Sequence, residues 1–219
     1  MKSILLVITF IGVTTSAYSQ DTSKSTYTRN IVWTTPVKRN TDINGFAIGI
    51  MAVPWMSADS LRINGINFEI SPFGFLGGLY AIAGTLYSPF HEKYDSTSDG
   101  AADLFSKQVF TEKEKFVATR IKGISVSLGG LSRETAISGI SINGVICVAN
   151  QMNGIELSGL MNLHYEFKGV MIAGLRNKVT TGKGIQIALI NSCKSGRVIQ
   201  LGLINRIGKR VTPIVNFSL

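Results

Sequence analysis

The residues able to do acid–base or metal chemistry are few: two histidines, His91 and His164, two cysteines, Cys147 and Cys193, and 13 acidic residues among 219. Neither histidine has a second His, Cys or carboxylate at the sequence spacing of a ligand set, so both read as surface residues. The segments Gly123-Ile-Ser125-Val-Ser127 and Gly139-Ile-Ser141-Ile-Asn143 begin like a nucleophile elbow but lack its closing glycine. Asp95 to Asp103 supplies carboxylates without the ligand spacing of a calcium loop, and Gly182-Lys183 has no upstream glycine at phosphate-loop spacing. Glycoside hydrolysis needs two carboxylates flanking one cleft. Glu134, Glu156 and Glu166 could meet that demand only if an excursion carrying Asp99 or Asp103 folded over them. The expectation is no catalytic residue, no metal site and no cofactor.

Charge is more patterned. The formal net charge is +9. After Glu166 no acidic residue occurs, while Lys168, Arg176, Lys178, Lys183, Lys194, Arg197, Arg206, Lys209 and Arg210 follow. Lys168, Lys183, Arg197 and Arg210 each directly precede a repeated apolar segment. Stacked in a row, such cations repel by roughly 1 kcal/mol per neighbouring pair even in water. A gatekeeping ridge that discourages aggregation is one outcome; an anion-binding edge for lipopolysaccharide phosphates or acidic glycan is the other. No nucleic-acid-binding motif is present.

The element that sets this phase is a short repeat: Gly154-Ile-Glu-Leu-Ser-Gly-Leu-Met-Asn162, Gly169-Val-Met-Ile-Ala-Gly-Leu-Arg-Asn177, Gly184-Ile-Gln-Ile-Ala-Leu-Ile-Asn191 and Val198-Ile-Gln-Leu-Gly-Leu-Ile-Asn205, a period of 14 or 15 residues. So short a period marks a repetitive β architecture. Within a unit Ile185, Ile187 and Leu189 alternate with Gln186, Ala188 and Ile190, which predicts a strand with one apolar set on a single, inward face. Asn162, Asn177, Asn191 and Asn205 share one phase, and parallel stacking at about 4.8 Å would join their amides into a ladder. Leu163, Val179, Cys193 and Ile207 predict a second inward side, as a coil requires. An all-β solenoid is therefore favoured, with an antiparallel meander, sandwich or barrel as the alternative. In a solenoid Cys147 and Cys193 would lie about three coils, roughly 14 Å, apart, beyond disulfide reach.

Met1-Lys2-Ser3, the apolar run Ile4 to Val13 and the small residues near Ala17 and Ser19 predict a signal peptide over 1–19, hence an exported protein of the periplasm, outer membrane or cell surface. Residues 20–30 read as a flexible leader and 31–219 as one β-repeat domain, with degenerate units at Asn44 and Asn64, breaks at Pro54, Trp55 and Pro72, a buried strand pair over 73–87 and a polar insertion over 88–120 that holds a short helix around 101–107. An unprotected C-terminal edge near Leu219 would allow self-association.

The units at Gly184 and Val198, with the ending Ile207-Gly-Lys-Arg-Val-Thr-Pro-Ile-Val-Asn-Phe-Ser-Leu219, resemble a family of uncharacterised surface-repeat proteins from Gram-negative bacteria, whose hallmark is a Gly-Leu-Gln-Ile-Gly-Leu-x-Asn-like unit behind a signal peptide. The resemblance implies export and repeats and carries no activity. The function expected is a non-enzymatic structural or binding module at the cell envelope. An integral outer-membrane β-barrel and a carbohydrate-active enzyme on a β-solenoid are the alternatives.

Overall fold

A computed structural model describes residues 25–54, 59–72, 74–75, 117–131 and 134–218. Ten strands follow one another: β1 (Tyr27–Val37), β2 (Thr41–Pro54), β3 (Leu61–Glu69), β4 (Thr119–Ser127), β5 (Thr135–Asn143), β6 (Ile146–Ser158), β7 (Met161–Ala173), β8 (Arg176–Ile187), β9 (Ile190–Ile207) and β10 (Arg210–Phe217). They pair in sequence order into one sheet. Every pairing from β1 to β9 is parallel, and only β9 with β10 is antiparallel. The fold is a β-solenoid, and the antiparallel meander is excluded. The proposed signal peptide, residues 73 and 76–87, most of the insertion with its helix, His91, Asp99 and Asp103 lie outside the described residues. Two boundaries move: β1 already begins at Tyr27, inside the expected leader, and β4 at Thr119, inside the expected insertion.

Most coils are one long strand broken by a glycine. Gly45, Gly65, Gly123, Gly139, Gly154, Gly169 and Gly184 stand in register, each with φ between 130° and 144°. That backbone region is open to glycine and strained for side chains bearing Cβ. On one side of the bend a column of Ile43, Ile63, Ile121, Ile137, Met152 and Phe167 points inward, fully or almost fully buried. It continues as Gly182, where an added Cβ would meet Val198, Cys193 and Val179, so those side chains fill the space Phe167 fills one coil earlier.

Past the bend the expected face is reversed. Gln186 and Ala188 point inward at 0% and 7% exposure, while Ile187 and Leu189 face out at 37% and 47%. The inward column reads Asn67, Ser125, Ser141, Glu156, Met171, Gln186, Gln200. A flattened coil leaves little depth there once the opposite wall supplies Ile, Met and Phe. Stacked polar groups pair in part: Gln200 Nε2 donates to Gln186 Oε1 at 2.8 Å and Asn67 Nδ2 to Ser125 Oγ at 3.1 Å, while Gln200 Oε1 and Asn67 Oδ1 have no partner among the described residues. The second inward side also differs by one residue, because His164, not Leu163, is in register with Val179 and Cys193. Leu163 joins a separate cluster with Ile146, Val148 and Met161.

Glu69 is buried in this interior, accepting from Ala52 N–H at 2.6 Å and Ser127 Oγ at 3.0 Å. Burial raises its pKa above the ordinary 4.5, with the hydrogen bonds from Ala52 and Ser127 opposing. The folded chain thus holds this proton more tightly than the unfolded one. Its contribution to stability is greatest below the unfolded value and is lost as pH rises through the folded one. Glu69→Gln is expected to flatten the decline in urea-unfolding stability above about pH 4.5; parallel pH profiles for the two proteins would contradict this placement.

Both end strands carry a proline at an irregular register. In β1 the pairing shifts between Thr35 and Val37, at Pro36, and in β10 between Thr212 and Ile214, at Pro213. Proline and a bulge blunt an edge against further strand addition. Among the described residues the stack of parallel coils closes with β10, which pairs antiparallel with β9.

Candidate functional site: a cationic column beside an apolar face

The residue before the bend position, which is glycine in seven coils, Ile31 in β1 and Val198 in β9, forms an outward column: Asn30, Asn44, Asn64, Lys122, Ser138, Asn153, Lys168, Lys183, Arg197. At its N-terminal end the amides bond from coil to coil, Asn64 Nδ2 to Asn44 Oδ1 at 2.9 Å and Asn44 Nδ2 to Asn30 Oδ1 at 3.3 Å. At its C-terminal end Lys168, Lys183 and Arg197 are exposed and adjacent. No carboxylate among the described residues pairs with these three. Arg210 does not belong to the row. It lies on antiparallel β10 opposite Ile207, and its guanidinium donates to the Phe217 carbonyl. The reversal of chain direction breaks the phase that sequence alone assigned to it. Lys122, in the same column, was missed because a unit outside the clear repeats carries it.

Two and four residues further along each strand, past the bend, run two outward apolar columns. One includes Phe46, Ile124, Ile140, Ile155 and Ile199, the other Ile48, Phe68, Ile142, Leu157, Ile187 and Leu201, all from 37% to 48% exposed. Across β2 to β9 this face is roughly 34 Å long at about 4.8 Å per strand and, with two columns one alternate residue apart, roughly 10 Å wide. An area of roughly 340 Å² is within the range of the largest apolar patch on a monomer, and such patches often mark interaction sites.

Behind the face the four amides expected as a ladder are buried and joined. Asn162 Nδ2 donates to Asn177 Oδ1 at 3.0 Å, Asn177 Nδ2 to Asn191 Oδ1 at 3.0 Å, and Asn191 Nδ2 to Asn205 Oδ1 at 2.9 Å. Each of the first three also reaches a backbone carbonyl, those of Ile172, Ile187 and Leu201. The row ties together the corners of four successive coils, among them those that carry Lys168, Lys183 and Arg197.

One coil before Asn162 the register position is Cys147. Cys147 and Cys193 are both free and buried. His164 is not a surface residue: it is 0% exposed, its Nε2 lies 2.5 Å from Glu156 Oε2, and its Nδ1 lies 3.2 Å from the Ala149 carbonyl. Cys147, Glu156 and His164 offer ligand atoms that all lie within 4.8 Å of one another. Sequence spacing hid this cluster, because its members sit on three different inward columns. Burial first, and then the charge of Glu156, push the Cys147 thiol well above its ordinary pKa.

No protein-family model, curated protein or solved structure matches this chain.

Proposed function

We propose that this protein is an exported, non-enzymatic β-solenoid of the bacterial envelope that lies on a membrane leaflet rich in anionic phosphate headgroups, lipopolysaccharide among them. One observation carries the reading: the cations Lys168, Lys183 and Arg197, which no carboxylate among the described residues pairs, flank a solvent-facing apolar surface. Phosphates bridging the row relieve its self-repulsion, and acyl chains cover the Ile and Leu columns. A soluble acidic glycan would answer only the first need. The chain thereby keeps the envelope role implied by the family it resembles.

The test is co-sedimentation of the purified protein with phosphatidylglycerol/phosphatidylcholine vesicles, with pure phosphatidylcholine vesicles, and with lipopolysaccharide-bearing vesicles. Each cation near an anionic surface contributes about 1 kcal/mol, so the triple change Lys168→Gln, Lys183→Gln and Arg197→Gln is expected to weaken anionic-vesicle binding about 100-fold at low salt. Arg210→Gln, outside the row, should change little. Equal binding to neutral vesicles, an unaffected triple variant, or tight binding to a soluble acidic polysaccharide with none to vesicles would each overturn the reading. So would a stable dimer that buries the apolar columns in solution.

A further inference from the structure

We propose that Cys147, Glu156 and His164 form a zinc site inside the coil. The three side chains come from β6 before its bend, β6 after it, and β7, and all are fully buried. Thiolate, imidazole and carboxylate together are a donor set suited to zinc, whereas calcium and magnesium require oxygen ligands. Charge balance points the same way: one thiolate and one carboxylate cancel the two charges of Zn²⁺ around a neutral imidazole, leaving a buried site with no net charge.

The surroundings fit a ligand role. His164 Nδ1 faces the Ala149 carbonyl at 3.2 Å, so Nε2, in contact with Glu156 Oε2, is the ring nitrogen that would take the metal. Asn143 Nδ2 lies 3.5 Å from Glu156 Oε1 and 3.1 Å from Ser158 Oγ, holding the carboxylate from its far side. Zinc bonds of about 2.0–2.3 Å in a tetrahedron set neighbouring ligand atoms roughly 3.4 Å apart. The His164–Glu156 contact must therefore open by roughly 1 Å and the sulfur close in by a similar amount, movements within reach of side-chain rotation. Three protein ligands leave a fourth position for a small molecule such as water. Because none of the three is exposed, metal would enter as the coil closes, so binding and folding are coupled.

The experiment is to refold the purified full chain with and without zinc, measure bound metal by elemental analysis, and follow thermal unfolding. About one zinc per chain, a Tm raised by zinc and lowered by chelator, and a thiolate-to-metal charge-transfer band on cobalt substitution are the expected results. Cys147→Ala deletes only a sulfur and should still fold by circular dichroism, yet bind zinc at least 100-fold more weakly and lose the cobalt band; His164→Gln should do the same. A folded parent that takes up no zinc, or a folded Cys147→Ala variant whose Tm still responds to zinc as the parent does, would overturn the proposal. Neither result bears on vesicle binding, which involves none of these residues.

Discussion

Asn177→Leu is expected to lower the unfolding free energy by about 3–5 kcal/mol, an effect at the extreme of single substitutions. The Asn177 amide donates to the Ile187 carbonyl and Asn191 Oδ1 at 3.0 Å, approaches the Met171 carbonyl at 3.2 Å, and accepts from Asn162 at 3.0 Å. Leucine has a similar volume but none of these bonds. It leaves an Asn162 donor, an Asn191 acceptor and a strand carbonyl buried without partners, each costing about 1–3 kcal/mol with incomplete additivity. Asn177→Asp keeps the acceptor for Asn162 but loses both donors, so it should be nearly as damaging. The exposed Asn153, by contrast, should tolerate alanine within about 0.5 kcal/mol. Urea unfolding followed by circular dichroism decides the matter, and a loss under about 1 kcal/mol for Asn177→Leu would mean that the amide row is not a supporting element.

The second large effect is expected at the bend. At Gly169 φ is 131°, and an added Cβ would stand 1.9 Å from the Gly154 carbonyl oxygen and 2.9 Å from its carbon. Gly154 cannot yield, because its own Cβ position is 1.9 Å from the Gly139 oxygen, and the same contact recurs down the stack. Gly169→Ala thus combines an unfavourable backbone region with a collision against immobile backbone, and a loss of at least about 4 kcal/mol, or failure to fold, follows. Gly208 supplies the comparison. Its φ is 57°, but the nearest atom to an added Cβ is the Lys194 oxygen at 3.6 Å. Alanine there meets only the left-handed penalty of about 1 kcal/mol, which asparagine should partly restore. Similar losses at the two positions would show that conformational strain, not the stacking of carbonyls, accounts for the glycine column.

The period of the Gly-to-Asn unit carried the architecture, because a spacing of 14 or 15 residues repeated with glycine and asparagine at fixed phases leaves few ways to bury an apolar surface. The rows of Asn177 and of Lys183 were legible for the same reason. What period alone could not assign was which face turns inward. Ile185 to Leu189 alternates as a half-buried strand should, and burying the aliphatic half is the natural expectation. The outcome depends on the depth of the cavity facing that strand, which Met152, Phe167 and Val179 fill from the other wall. The Cys147–Glu156–His164 cluster was illegible for a related reason. Its spacings of nine and eight residues match neither the coil period nor any local ligand pattern, and only the three-dimensional register brings the groups together. Arg210 was misplaced because the repeat was extended one unit past the point where the chain turns back.

The opposed prolines of the first and last strands have a consequence for how such a chain can change length. Between two terminators, each 15-residue insertion contributes one more layer and about 4.8 Å of height while leaving both ends untouched. A duplication that carries its own lysine and its own isoleucines would lengthen the charged and greasy stripes together, so the size of the surface offered to a partner can be set by copy number alone.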